Sequence, residues 1–114
     1  MYSGAMEFRP PSYFALAALI DGPLHGYAIV RRASELSCGE VRLSTGTLYA
    51  VLDRALAESL VVSGEAYVKN GRQRRDYELT AAGLLALTRE SERLARAADT
   101  VSARIRAQTD PVRA

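Results

Sequence analysis

Residues 44–80 read STGTLYAVLDRALAESLVVSGEAYVKNGRQRRDYELT, and the change of period inside this stretch decides the fold. Leu48, Val51, Leu52, Ala55 and Leu56 recur at i, i+3, i+4, i+7 and i+8, the template of a helix with one face in a core. Ser44 stands just before it, and its hydroxyl can accept from the free amides that open a helix. The other face carries Thr45, Thr47, Tyr49, Asp53 and Arg54. Leu60-Val61-Val62 and Gly64-Glu65-Ala66-Tyr67-Val68 then lead to Asn70-Gly71, a turn dipeptide because both residues tolerate positive φ. Beyond the turn, Tyr77 and Leu79 alternate with Asp76 and Glu78, the two-residue period of a strand. A helix followed by a β-hairpin with a basic tip is expected.

Upstream, residues 1–9 show no period and read as a loose arm. Pro10-Pro11 signals a start, and Ser12 or a proline opens a helix that runs through Ile20. Asp21-Gly22-Pro23 stops it. After Leu24-His25-Gly26 a second helical pattern reaches about Ser37, with Ile29, Val30, Ala33 and Leu36 on one face. Cys38 to Leu43 is a connector with room for a brief extended stretch. Downstream, Thr80 caps a final helix from about residue 81 to residue 107. The order is helix, helix, helix, hairpin, long helix. That is a mainly α chain with a small β-hairpin, laid out as a winged helix-turn-helix domain over residues 10–80. A long C-terminal helix over 81–108 and a tail over 109–114 follow.

The chain has 114 residues, 48% of them hydrophobic and 25% charged, which suits one ordinary globular domain. No apolar run approaches the roughly 18 residues that span a bilayer, and no basic stretch leads into an apolar core near the first residue. No membrane partner and a cytoplasmic location are expected. One cysteine, Cys38, and one histidine, His25, exclude an internal disulfide and a structural zinc site of the Cys/His type. There is no Walker loop, no dinucleotide fingerprint and no nucleophile patterned with His25. No cofactor, no metal and no catalytic residue are therefore expected.

The net charge of +2 does not by itself argue for nucleic acid, so distribution matters. Of the 15 basic residues all but Lys69 are arginines, whose planar forks suit phosphate and guanine. Lys69, Arg72, Arg74 and Arg75 put four positive charges around the hairpin turn, where they cannot bury. In a winged helix the third helix enters the major groove while the hairpin tip reaches phosphates or the minor groove. Ser44, Thr45, Thr47 and Tyr49 occupy the start of that third helix, and hydroxyls bond phosphates or base edges. These eight residues are the candidate DNA contacts. A merely solvated basic wing on a protein-binding module is the alternative.

The last helix carries Leu84, Leu87, Ser91, Leu94, Ala98, Val101 and Ile105 at alternating steps of three and four. Sustained over three heptads, this is a coiled-coil seam rather than a broad core face. Three short helices and a small wing cannot cover a helix about 40 Å long. Homodimerisation through Leu84, Leu87, Leu94, Val101 and Ile105 is expected.

Three blocks in this order resemble the PadR family of bacterial transcriptional regulators. Gly22-Pro23-Leu24-His25-Gly26-Tyr27 resembles the family's G-P-L-H-G-Y turn, and Ser44-Thr45-Gly46-Thr47-Leu48-Tyr49 is similar to its S-x-G-T-L-Y helix start. Gly71 to Thr80 resembles the wing signature G-R-P-R-K-Y-Y-x-L-T. The resemblance implies a dimeric winged-helix repressor that binds a palindromic double-stranded DNA operator through the third helix and wing. It also implies dimerisation through the C-terminal helix, as in the short subgroup with a single helix after the wing. A small-molecule effector of unspecified identity is the further partner it implies; some members take flat aromatics, often against a tryptophan, and this chain has none. Three departures stand out: Ala50 where proline is frequent, Ser59 in place of glycine after the third helix, and Asp76 in place of an aromatic.

Overall fold

A computed structural model of the chain describes residues 6–109; the outer parts of the expected arm and tail, residues 1–5 and 110–114, lie outside the described residues. The elements run α1 (Pro10–Ala17), β1 (Leu24–His25), α2 (Gly26–Leu36), α3 (Thr45–Ala57), β2 (Val61–Ser63), β3 (Tyr67–Lys69), β4 (Arg72–Arg74), β5 (Asp76–Leu79) and α4 (Ala81–Thr109). Helix α1 starts at Pro10, where the missing amide costs nothing, and Ser12 Oγ accepts from the Arg9 amide at 2.9 Å. It closes at Ala17, three residues short of the expected end. Leu19 and Ile20 donate back three residues rather than four, a tightened last turn, and Gly22 leaves it at φ 140°. The inner arm is not loose: Met6 and Phe8 are half-buried against the core.

Helix α3 forms as its period dictates. Leu48, Leu52 and Ala55 are buried, and Ser44 Oγ accepts from the Thr47 amide at 3.1 Å. Both α2 and α3 close in Schellman geometry without glycine. Gly39 N–H donates to Ser34 and Leu60 N–H to Ala55, across Cys38 at φ 55° and Ser59 at φ 59°. Ser59 thus takes the left-handed conformation that glycine would adopt there. No strand forms in the connector before α3; Val41 and Leu43 are buried from irregular backbone, and the Val41 amide is satisfied by Ser37 Oγ at 2.9 Å.

The hairpin is more divided than its pattern implies. Strand β5 is central, antiparallel to β2 on one side and to the two-residue β1 on the other, with Leu24 opposite Tyr77 and His25 opposite Asp76. The β1 strand was not foreseen. Strands β3 and β4 form a separate ribbon beyond Gly64-Glu65-Ala66 on one limb and Arg75 on the other, turning through Asn70 at φ 55° and Gly71 at φ 75°. Leu16, Leu19, Ile29, Leu52 and Val61 are the largest fully buried side chains. Each contributes roughly 1.5–3 kcal/mol of burial, joining α1, α2, α3 and the sheet in one core.

Helix α4 starts where Thr80 Oγ1 accepts from the Gly83 amide at 2.9 Å. Its first turns pack on α1 and β5, and Tyr13 Oη bonds Ser91 Oγ at 2.7 Å where it leaves the body. Leu87, read as part of the dimer seam, is buried in the chain's own core at 3% exposure. The core face and the heptad seam coincide over those first turns, so the spacing alone could not separate them. Leu84, Leu94, Val101 and Ile105 stay exposed at 49%, 40%, 57% and 56%. No helix among the described residues is long and apolar enough to cross a membrane.

Candidate nucleic-acid interface

The interface is assembled from the start of α3, the start of α2 and the β3–β4 ribbon. Residues opposite one another in an antiparallel ladder share a face, and Lys69 pairs with Arg72 while Tyr67 pairs with Arg74. One face of the ribbon therefore carries Tyr67, Lys69, Arg72 and Arg74, and the other Val68 and Gln73. A cleft of about 510 Å³ opens between this ribbon and the helices, lined by Arg72, Arg74 and Arg75 on one side. Tyr27, Tyr49, Tyr77 and His25 line the rest with Gly26, Ala66 and Gln73.

Of the recognition-helix residues, Tyr49 alone lines this cleft. Its ring lies over the start of α2, where a Cβ on Gly26 would come within 2.9 Å of Tyr49 Oη. Glycine at 26 leaves room for the Tyr49 hydroxyl and the Leu48 side chain against the start of α2. Ser44, Thr45 and Thr47 lie exposed at the other end of α3's first turns. Ser44 Oγ is engaged with Thr47, accepting from its amide and donating to its Oγ1 at 3.0 Å. The Thr47 hydroxyl proton remains available to donate to an outside acceptor.

The wing residues divide as well. Lys69, Arg72 and Arg75 are exposed, whereas Arg74 turns inward and its Nη1 donates to His25 Nε2 at 2.8 Å. Asp76 accepts from Tyr67 Oη at 2.7 Å, closing the base of the ribbon. That bond, ahead of burial, raises the Tyr67 hydroxyl above its ordinary pKa. Burial raises Tyr77 in the same way, with the neighbouring Tyr49 adding to it. Sequence reasoning passed over the flank of α2, where the Arg31 guanidinium lies 5.8 Å over the Tyr27 ring and shares a shallow depression with Arg42. Its signal was present in the Gly-Tyr pair and in the arginine spaced four residues beyond that tyrosine.

Three helices closed by a small antiparallel sheet, with a basic two-stranded ribbon beside the third helix, define a winged helix-turn-helix protein. The chain belongs to the transcriptional regulator PadR-like family, whose model matches residues 15–89. It is 43% identical over 74 residues to "Transcriptional regulator Rv3488" of Mycobacterium tuberculosis, covering 65% of each chain. It is 45% identical over 91 residues, 80% of this chain, to an uncharacterized 37.1 kDa protein of a Streptomyces fradiae transposon, and there it spans only 25% of the relative. Among solved structures, a PadR family regulator of Clostridium difficile superposes with TM-score 0.71 at 20% identity, over 85% of this chain and 99% of that one. Bacillus subtilis PadR in complex with operator DNA superposes with TM-score 0.60 at 22% identity, over 70% of this chain and 46% of that one. At these identities the two structures speak for the fold.

Proposed function

We propose that this chain binds a palindromic double-stranded DNA operator as a homodimer and represses transcription in the cytoplasm. The observation that carries the reading is the cleft that Arg72, Arg74 and Arg75 of the basic wing share with Tyr49 of α3. A groove-entering helix and a phosphate-reaching wing need this juxtaposition. The operator-bound Bacillus subtilis relative supports it, as does the family's regulatory character. Thr45, Thr47 and Tyr49 read base edges, with Ser44 holding the helix start. Lys69, Arg72 and Arg75 contact the phosphate backbone. Leu84, Leu94, Val101 and Ile105 cover one another across the dimer axis.

The test is binding to duplex DNA from the region upstream of the chain's own gene, against random duplex of equal length, over a range of salt. Tighter binding to the upstream DNA, with affinity falling linearly in log salt, supports the reading. Equal, salt-insensitive binding to both would favour a protein-binding winged helix.

A further inference from the structure

His25 and Arg74 meet because the pairing of β1 with β5 folds the start of α2 against the inner end of the ribbon. A guanidinium carries donors only and does not deprotonate, so the 2.8 Å bond to Nε2 requires a lone pair there. The ring is then neutral, with its proton on Nδ1. It is half-buried and faces Arg74 of β4, Asp76 of β5, Lys69 of β3 and Arg31 of α2. Arg72, Arg75 and the hydroxyls of Tyr27, Tyr49 and Tyr77 line the same cleft. Asp76 is the lone carboxylate in this set, and its Oδ1 already accepts from Tyr67. Burial first, then the Arg74 charge, hold the ring below its ordinary 6.5; Lys69 and Arg31 add to this and Asp76 opposes it.

We propose that His25 is the positioning residue of the wing: its neutral ring holds Arg74 against the body, and its protonated ring, which has no lone pair to offer, releases that arginine to join Arg72 and Arg75 on the DNA-facing side. Arg74 is therefore a conditional phosphate contact, engaged on acidification and withheld at neutral pH. The release step rests on the DNA-binding reading above; the clamp itself does not. The single histidine makes the effect readable, because no other imidazole titrates in this chain.

Two measurements on the full chain test this, with wild type, His25→Gln and Arg74→Gln. In the free protein, the imidazole nitrogens are followed by NMR as pH falls from 7.5 to 5. The wild-type ring is expected to titrate below 6.5 and to move upward in Arg74→Gln. Identical titration in the two proteins overturns the clamp. On random duplex DNA, the slope of log K against log salt is measured at pH 7.5 and 5.5. The wild-type slope is expected to steepen at the lower pH by about two units, one arginine on each wing of a dimer. His25→Gln, whose amide oxygen accepts at any pH, and Arg74→Gln are both expected to keep one slope. A pH-dependent slope retained in Arg74→Gln would assign the new contact to the imidazolium itself and overturn the release. A coupled ring titration in a protein with no DNA affinity at either pH sustains the clamp and overturns the proposed function.

Discussion

Gly83 in α4 lies so close to the Leu60 backbone that a Cβ there would stand 2.0 Å from the Leu60 carbonyl oxygen and 2.9 Å from Leu79 Cδ1. The same carbonyl accepts from the Thr80 amide at 3.0 Å, and Thr80 Oγ1 donates to Ser59 at 2.7 Å while accepting from Gly83. The start of α4 is thus locked onto the segment that follows α3 by two hydrogen bonds and one close approach. A glycine inside a helix ordinarily costs up to about 1 kcal/mol relative to alanine. Here alanine must displace backbone instead. Gly83→Ala is expected to lower stability by roughly 1–3 kcal/mol in denaturant unfolding. A variant as stable as wild type would contradict the contact.

Ser59 invites the opposite substitution. Its side chain is exposed, its backbone is left-handed at φ 59°, and the conformation is held by the Schellman bonds of α3. Only its carbonyl is used by Thr80, so nothing is lost with the hydroxymethyl group. Ser59→Gly is expected to stabilise by about 0.5–1 kcal/mol, the left-handed strain relieved less the extra freedom of an unfolded glycine. Thermal unfolding of the two proteins side by side measures it.

How far the sequence carries is clear from such positions. The period of Leu48, Leu52 and Ala55, the Asn70-Gly71 turn and the Ser44 and Thr80 caps are local signals, and each appears in the structure where the local rule puts it. Strand β1 is two residues long, too short for any alternation to register, and exists because β5 offers it a ladder. The inward turn of Arg74 depends on a partner 49 residues away, so the wing read as four equivalent charges. Leu87 looked like seam because a 3.5-residue and a 3.6-residue stripe diverge by only about 20° per heptad. Long-range pairing, rather than composition or period, supplied what was missed.

The exposed part of α4 gives the assembly prediction. From residue 92 to residue 106 every residue is exposed, and Leu94, Val101 and Ile105 lie along one stripe. Leu94→Glu puts a charge at the centre of the proposed dimer face, past the last α1 contact through Ser91. The expected product is a monomer by sedimentation, with near-wild-type helix content because Leu87 and the rest of the core are untouched. The same change at Leu85, which is exposed but lies off the stripe, is the control and should leave a dimer. A Leu94→Glu protein sedimenting with wild type would sink the proposed interface.

The wing and the recognition helix are separated by how each loss responds to sequence and salt. Arg72 is exposed at the ribbon turn, opposite Lys69, in a position that suits phosphate contact better than a rigid base-reading fork. Each phosphate contact contributes about −0.9 to the slope of log K against log salt, and a dimer carries every substitution twice. Arg72→Ala is therefore expected to flatten the slope by about two units and to weaken operator and random DNA alike. Arg74→Ala at neutral pH should leave the slope nearly unchanged, since that guanidinium is engaged with His25 rather than with solvent. Thr47→Ala should behave differently again. Its amide still donates to the Ser44 cap, so the helix start survives, while the hydroxyl that could reach a base edge is gone. The expected loss is roughly 1–3 kcal/mol on the operator with little change on random DNA, because a base-edge contact contributes only where the right base is present. If Arg72→Ala lost affinity for the operator alone, or Thr47→Ala for both DNAs equally, the roles assigned to wing and helix would have to be exchanged.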